Sequence, residues 1–156
     1  MAIAITLREF LDGHHLPYDA MLHQRTATSR QNAVAARQPG ERVAKALLLK
    51  DEDSYLLAVL PADRRLHFGQ LHRALNRRIG LATEAEVAEV FSDCAVGAVP
   101  PAGLLYDIDT LVDDTLLEQA EVYFEAGDHE QLIHMTQADF RKLLGDATHG
   151  RFSYRS

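Results

Sequence analysis

The chain has 156 residues, of which 47% are hydrophobic and 25% are charged, which is typical of one folded domain and excludes a disordered chain. Its single cysteine, Cys94, excludes an intramolecular disulfide, and no stretch approaches the roughly 18 apolar residues that a membrane helix requires. The first residues lack the basic and apolar regions of a signal peptide. We therefore expect a cytoplasmic protein with no membrane partner.

The net charge of −7 is unevenly distributed along the chain. Residues 1–80 contain 12 Lys and Arg against 8 Asp and Glu, whereas residues 81–156 contain 4 against 15. A basic face on an acidic protein can contact phosphate groups while the rest of the surface repels them, although a solvated helix surface has the same composition. The candidate phosphate-binding residues are Arg64, Arg65, Arg73, Arg77 and Arg78.

In the first half of the chain, apolar spacing and capping residues predict two helices, a strand and a hairpin. The hairpin is the clearest local signal, because two apolar runs flank the polar stretch at residues 50–54. The predicted elements are a helix at Thr6–Leu11, a strand at Leu16–Leu22, a helix from Ser29 to about Arg37, and hairpin strands at Val43–Leu49 and Tyr55–Leu60.

The second half continues the alternation of helices and strands. A capping box at Thr83–Glu86 predicts a helix start, and Thr136 is a second predicted helix cap. The predicted elements are helices at Phe68–Arg77, Glu84–Phe91 and 137–144, a short apolar run at Val96–Val99, a strand at Thr110–Val112, a helical turn at Leu116–Leu117, and a hairpin formed by Glu121–Ala126 and Gln131–Met135.

Interspersed helices, strands and hairpins predict an α+β fold, a single domain with a mixed, mostly antiparallel sheet flanked by helices. We place this domain at residues 1–144. Residues 145–156 form a polar C-terminal tail that we expect to fray.

Lys45 is the first residue that could carry chemistry, because it lies inside an apolar strand. Strand alternation places it on the same face as Val43, Leu47 and Leu49. Burying an unpaired ammonium costs several kcal/mol or more, so this lysine must either reach out to solvent at a sheet edge or face a polar cavity. The pattern alone leaves both interpretations open.

Two further segments are candidates for a binding site. Residues 97–103 contain two glycines and two prolines, which fix an irregular backbone whose carbonyls can bind an ammonium or a water. Residues 127–129, Gly-Asp-His, lie at a predicted hairpin turn, and the histidine could donate to a ligand. Each segment is equally compatible with an ordinary turn.

Other chemistries lack support in the sequence. His67 and His72 are five positions apart, as are His129 and His134, and neither pair has the spacing of the HExxH zinc motif. The single cysteine offers no thiolate cluster, so we expect no metal site. The chain contains no phosphate-binding P-loop, no dinucleotide fingerprint and no serine nucleophile elbow, and we expect no cofactor.

Three segments in register resemble the YbaK-like, prolyl-tRNA synthetase-associated editing domains. The opening hairpin KALLLK (residues 45–50) and LAVLPAD (57–63) is similar to theirs. GAVPP (97–101) matches their G-x-x-x-P loop, with Gly103 also in place, and YFEAGDH (123–129) is similar to their last turn. The order and separations agree from roughly residue 6 to residue 144.

The resemblance implies the fold of that family and hydrolysis of the ester that joins a wrong amino acid to the terminal ribose of a tRNA. Lys45 matches the family's essential lysine and would hold a phosphate or ribose oxygen. His129 would shape the amino-acid pocket. The implied partners are a mischarged tRNA and an aminoacyl-tRNA synthetase, and the arginine cluster would face the tRNA. The implied substrate-binding residues are Gly97, Ala98, Val99, Pro100, Pro101, Gly127, Asp128 and His129.

Two residues depart from the family pattern. Ala46 stands where subfamilies carry threonine or asparagine, and Glu125 stands where members directed at cysteinyl-tRNA carry serine. Cysteine is therefore a less favoured expectation for the substrate, and alanine, serine or another small amino acid stays open. Two alternatives also stay open: a non-catalytic module that binds tRNA ends, an amino acid or a synthetase, and a hydrolase of a small aminoacyl metabolite.

Overall fold

The computed structural model describes residues 3–22, 39–95, 98–125, 127–128 and 131–155. The helix expected at Ser29–Arg37 lies outside these ranges. The strands are β1 (Asp19–Leu22), β2 (Val43–Lys50), β3 (Tyr55–Pro61), β4 (Arg64–Leu66), β5 (Gly80–Leu81), β6 (Asp109–Asp113), β7 (Glu121–Glu125), β8 (Gln131–Thr136), β9 (Thr148–Gly150) and β10 (Ser153–Arg155). The helices are α1 (Ile5–Gly13), α2 (Phe68–Leu75), α3 (Glu84–Val90), α4 (Asp114–Leu117) and α5 (Gln137–Leu144), with 3₁₀ turns at Gly40–Arg42 and Gly103–Tyr106.

The main sheet has the strand order β1-β8-β7-β2-β3-β6-β9, and β5 adds a short pairing to β2. The predicted hairpins β2–β3 and β7–β8 are both antiparallel. The pairs β2–β7, β3–β6 and β6–β9 are parallel, so the sheet is mixed. Strands β4 and β10 form a separate two-stranded sheet. The α+β fold predicted from the sequence is confirmed.

Local side chains explain where the elements begin and turn. The predicted capping box is present, because the Thr83 hydroxyl accepts from the Glu86 amide and the Glu86 carboxylate accepts from the Thr83 amide. The Asp51 carboxylate closes the β2–β3 turn by accepting from the amides of Asp53 and Ser54 at 2.8 and 2.7 Å. These backbone hydrogen bonds lower the pKa of Asp51.

The two faces of strand β2 pack into different parts of the core. Its even-numbered residues Ala44 and Leu48 belong to the first core cluster, in which α1 and α5 cover the sheet. The odd-numbered Leu49 belongs to a second core cluster with Leu60, beneath α2. This alternation is the period-2 pattern expected of a strand that is covered on both faces.

The prediction that the chain frays after Gly145 is wrong. Strand β9 pairs with β6, and β10 pairs with β4. Phe152 between them is 4% exposed in the second core cluster, and its amide donates to the buried Asp113 carboxylate at 3.1 Å. Because the segment is polar overall, its sequence gives no indication that one large apolar side chain and a long-range hydrogen bond hold the segment in place.

Candidate functional site

Lys45 lies near the open end of the β2–β3 hairpin. It is half-buried on β2, directly opposite Leu60 of β3. Its neighbours two positions away along the strand are Val43, which is fully buried, and Leu47, which packs against the second core cluster. The side chain therefore lies on the face of the sheet that the sequence pattern predicted.

The edge of β2 that faces away from β3 is shared by two strands. On this edge, β7 pairs with Val43 and Ala44, and β5 pairs with Leu49 and Lys50. The Ala82 amide also donates to the Leu48 carbonyl oxygen at 2.9 Å. Residues 45–47 lie between these two pairings, at a position called the gap from here on, and all three residues are half-buried.

The backbone of Ala46 is directed toward this gap. The N–H and C=O groups of successive strand residues point alternately to the two edges, and the Leu48 carbonyl points to the β5 side. The peptide groups of Ala46, two residues earlier, therefore point to the same edge. The Ala46 side chain packs instead against the first core cluster. The gap is thus bordered by main-chain polar groups at the point where Lys45 interrupts the apolar strand.

A buried carboxylate lies beside Lys45 in the strand register. The parallel pairs Val43↔Tyr123 and Ala44↔Phe124, continued by one residue, align Lys45 with Glu125 at the end of β7. Glu125 is 3% exposed. Glu125 therefore lies on the strand next to Lys45 and on the same face of the sheet.

The proline-containing loop is part of the core. Ala98, Val99, Pro100 and Pro101 are all buried, and Val99 packs in the first core cluster. Gly103 ends the loop, and a Cβ there would overlap Thr110 Oγ1 and the Ile108 carbonyl oxygen. The loop is therefore fixed by packing on one side and by a required glycine at its end. Gly97 lies outside the described residues.

The turn after β7 is joined to this loop by the backbone. The Ala95 amide donates to the Gly127 carbonyl oxygen at 2.7 Å. Gly127 has a φ of 109°, and a Cβ there would come within 2.9 Å of the Ala4 side chain. Asp128 is fully buried and accepts from the Gln131 amide at 3.0 Å, which closes the turn. His129 lies outside the described residues.

The structure thus brings together the 98–103 loop and the 127–128 turn, and it aligns the end of β7 with Lys45. The loop packs on the face of the sheet opposite the Lys45 side chain, because Val99 belongs to the first core cluster. Convergence of Lys45, the loop and His129 on one pocket stays a prediction.

A cluster that sequence analysis missed supports the start of the loop. Tyr106 donates to the Asp93 carboxylate at 2.8 Å, and the same carboxylate accepts from the Thr6 amide of α1 at 2.9 Å. The Cys94 sulfur lies 3.5 Å from the Tyr106 hydroxyl. Burial raises the pKa of Cys94 to about 12. No sequence signal reveals this cluster, because each member is unremarkable alone and Thr6 is 87 positions from Asp93.

The five arginines occupy three different settings. Arg64 on β4 donates to the Ser153 hydroxyl at 2.7 Å, and Arg77 forms a 2.7 Å ion pair with Asp51. Arg65, Arg73 and Arg78 are exposed. The cluster is therefore not one solvated helix face, because it spans a strand, a helix and the segment that follows the helix. Its role in binding phosphate stays a prediction.

The side chains and helices of the described part of the chain bear on metals and membranes. No group of three or more His, Cys, Asp or Glu side chains there could hold a metal ion. No helix within the described ranges has both the length and the apolar character needed to cross a bilayer.

Comparison with known proteins identifies the family. A model of the aminoacyl-tRNA editing domain matches residues 23–143. The chain belongs to the aminoacyl-tRNA editing domain family, which confirms the resemblance inferred from the sequence motifs. No curated protein matches the chain.

Solved structures share the fold. The crystal structure of hypothetical protein APE2540 is 24% identical, with a TM-score of 0.83 over 96% of this chain and 99% of that one. The structure of "a putative trans-editing enzyme for prolyl tRNA synthetase" is 23% identical, with a TM-score of 0.81 over 98% and 99% of the two chains. A "putative signal transduction protein" from Marinobacter aquaeolei VT8 is 20% identical, with a TM-score of 0.76 over 97% of this chain and 31% of that one.

Proposed function

We propose that the protein is a trans-editing deacylase that hydrolyses the ester of a tRNA mischarged with a small amino acid. The observation that carries the proposal is the half-buried Lys45 inside the apolar strand β2, in a chain of the aminoacyl-tRNA editing domain family. The similarity to the structure named as a "putative trans-editing enzyme for prolyl tRNA synthetase" supports the same function.

The reaction requires little of the protein beyond positioning and charge stabilisation. A water attacks the carbonyl carbon of the aminoacyl ester, negative charge develops on the carbonyl oxygen, and the bond to the ribose oxygen then breaks. One proton of the water ends on the ribose oxygen, and the other is released to solvent as the amino acid leaves as the carboxylate. Because the ester is already activated, an ordered water and one well-placed cation are sufficient in principle.

Lys45 is the candidate for that cation. A half-buried ammonium interacts with an oxyanion more strongly than an exposed one, because less water screens the charge. We propose that Lys45 holds a phosphate or ribose oxygen beside the ester. Since the lysine supplies the positive charge, the reaction is proposed to need no metal.

The buried loop and turn are the candidate elements for holding the amino acid. Backbone carbonyls of the 97–101 loop would bind the α-ammonium, and peptide groups at the gap beside Lys45 would order the water. His129 would close the side-chain end of the pocket and limit its size. A single methylene changes binding by only about 1–3 kcal/mol, which is why a separate site is needed to remove the wrong amino acid.

The experiment is a deacylation panel. Purified protein is incubated with alanyl-, seryl- and cysteinyl-tRNA on proline and other acceptors, in the presence and absence of EDTA. We expect hydrolysis above background for at least one substrate, with no loss of rate in EDTA. Lys45→Ala is the catalytic control. If no member of the panel is hydrolysed faster than in buffer, the deacylase proposal is wrong.

One observation favours a second candidate, a non-catalytic module that binds tRNA ends, an amino acid or a synthetase. The Ala46 side chain packs against the core and supplies no polar contact at the gap. A binding module would retain mischarged tRNA without releasing the amino acid. Equilibrium binding measured beside the deacylation panel separates the two functions.

A further inference from the structure

A surface cleft of about 460 Å³ lies between helix α2 and the last strand, apart from the candidate editing site. It falls within the range of about 300–1,000 Å³ that is typical of ligand pockets. Its lining includes Tyr154, which is outside the stretch of chain that matches the family model. The cleft is lined by Leu66, His67, Phe68, Gly69 and Tyr154.

The aromatic wall of the cleft is oriented by the fold. Tyr154 is 45% exposed, and its ring makes a T-shaped contact with His67 at a centroid distance of 5.9 Å and an interplanar angle of 85°. His67 is itself held, because its Nδ1 accepts from the Gln70 amide at 3.0 Å and its own amide donates to the Phe152 carbonyl oxygen. A large exposed ring in a fixed orientation is a surface on which a flat ligand can stack.

Two exposed arginines border this wall. Arg65 is directly opposite Tyr154 in the β4–β10 pair, so the two side chains share the outward face, while the adjacent Leu66 points into the core. Arg73 approaches from α2, and its Nη1 lies 3.6 Å from the position that a Cβ on Gly69 would take. The cleft is therefore lined by aromatic rings and has an arginine next to its lining on each of two elements, β4 and α2.

This combination fits an unpaired nucleotide better than other ligands. Bases stack on aromatic side chains irrespective of sequence, and guanidinium groups bind the adjoining phosphates. In a duplex each base is covered by its neighbours, so its face is not available to Tyr154. An acidic peptide would satisfy the arginines but would leave the ring without a stacking partner.

We infer that this cleft holds an unpaired nucleotide of RNA, with the base stacked on Tyr154 and the flanking phosphates on Arg65 and Arg73. The inference rests on the proposed function, because the RNA that we expect in the cleft belongs to the tRNA substrate. Leu60, opposite Lys45, and Leu66, in the cleft wall, belong to the same core cluster, so the cleft and Lys45 lie on the same side of the main sheet. One tRNA strand can therefore engage both.

Tyr154→Trp provides a direct readout, because the chain contains no other tryptophan. The variant is titrated with a single-stranded RNA octamer ending in CCA, with a blunt RNA duplex, and with poly-glutamate. We expect the octamer to quench the indole emission, since stacking on a base places the two rings in contact. Asp12→Trp on α1, whose carboxylate side chain is 64% exposed on the opposite side of the sheet, is the control and should not be quenched.

Affinity measurements on the otherwise unmodified chain complete the test. Tyr154→Ala should weaken octamer binding about 5- to 150-fold, and Tyr154→Phe should bind nearly as well as the parent. Arg65→Gln should reduce the slope of log affinity against log salt concentration by about 1, as expected for the loss of one phosphate contact. Arg151→Gln should leave this slope unchanged.

Three results would overturn the inference. These are quenching by the duplex at least as strong as by the octamer, equal quenching at position 12, and preferential binding of poly-glutamate. The octamer carries no amino acid, so this binding does not depend on deacylation. Loss of activity across the mischarged tRNA panel with intact octamer quenching would refute the proposed enzyme and leave the nucleotide site standing.

Discussion

The amide of Ala95 donates a 2.7 Å hydrogen bond to the carbonyl oxygen of Gly127, which joins the segment before the proline-containing loop to the turn after β7. Ala95 also accepts from the Ala98 amide at 3.0 Å, so the same residue anchors both the loop and the turn. A change at either segment is therefore transmitted to the other through main-chain geometry, independently of any side chain that a ligand would contact.

Gly127→Ala should destabilise the protein and disturb this junction. The φ of 109° is strained for an alanine, and the added Cβ would come within 2.9 Å of Ala4. We expect a loss of about 1–3 kcal/mol in the free energy of unfolding, measured by urea denaturation. Gly80→Ala is the matched control, because a Cβ there has no neighbour within 4 Å. Equal stability of the two variants would contradict the proposed constraint.

Lys45→Ala should abolish most deacylation while the protein stays folded. Removing one well-placed charge from a sheltered site typically costs about 2.7–4 kcal/mol of transition-state stabilisation, which corresponds to a rate decrease of about 10²- to 10³-fold. The measurement is single-turnover hydrolysis of the preferred mischarged tRNA.

Lys50→Ala is the matched control for Lys45. It removes a lysine from the same strand, but this ammonium is exposed and forms a 2.9 Å ion pair with Glu86 at the start of α3. We expect near-parent turnover from Lys50→Ala. A folded Lys45→Ala variant with the same turnover as Lys50→Ala would remove Lys45 from the mechanism.

The elements that the sequence predicted correctly are those with strong local signals. The β2–β3 hairpin combines two apolar runs with an acidic turn, and α3 begins at a complete capping box. Strands β4 and β10 have three residues each and carry polar side chains, so no periodicity marks them. Their position depends on Phe152 and Asp113, which are distant in sequence and meet only in the folded chain.

The candidate site was predictable in composition but not in arrangement. Lys45 and the GAVPP loop stand out by residue type, and strand alternation gives the face on which Lys45 lies. The gap in the β2 edge could not be predicted, because it depends on where β7 and β5 each stop pairing with β2. Long-range strand order of this kind leaves no local trace in a single sequence.

Asp113→Ala should release the C-terminal strands. The carboxylate is 1% exposed and accepts from Phe152 of the tail and from Thr115 at the start of α4. Losing a helix cap and a charged hydrogen bond should cost about 2–4 kcal/mol, measured by urea denaturation. Asp109→Ala, at an exposed position on the same strand, should cost much less. Retention of native hydrogen-exchange protection in residues 148–155 of Asp113→Ala would contradict this role.

The contribution of Asp113 should also depend on pH. Burial alone would raise the pKa of this carboxyl, but hydrogen bonds from Thr115, Phe152 and Ser153 hold it below its usual range. A carboxyl whose pKa is lower in the folded state than in the unfolded state stabilises the fold at any pH above its unfolded-state pKa. This stabilisation is lost as the pH falls through the folded-state pKa. The stability difference between parent and Asp113→Ala should therefore be constant at neutral pH and narrow below about pH 4.

Cys94 should be unreactive in the folded protein, and this separates two possible routes of ester cleavage. A thiolate could attack the aminoacyl carbon and form a thioester, or a water could attack it directly.

Burial raises the pKa of Cys94 from 9.0 to about 12, so the thiolate fraction at pH 8 falls about a thousandfold. Iodoacetamide should therefore alkylate the native protein much more slowly than the protein in 8 M urea, and mass spectrometry reports this one site because the chain has no other cysteine. Cys94→Ser should retain deacylation, because hydrolysis by water needs no thiol. Rapid alkylation of the native protein together with loss of turnover would favour the thioester route and would move the reacting centre from Lys45 to the Asp93–Tyr106 cluster beside Cys94.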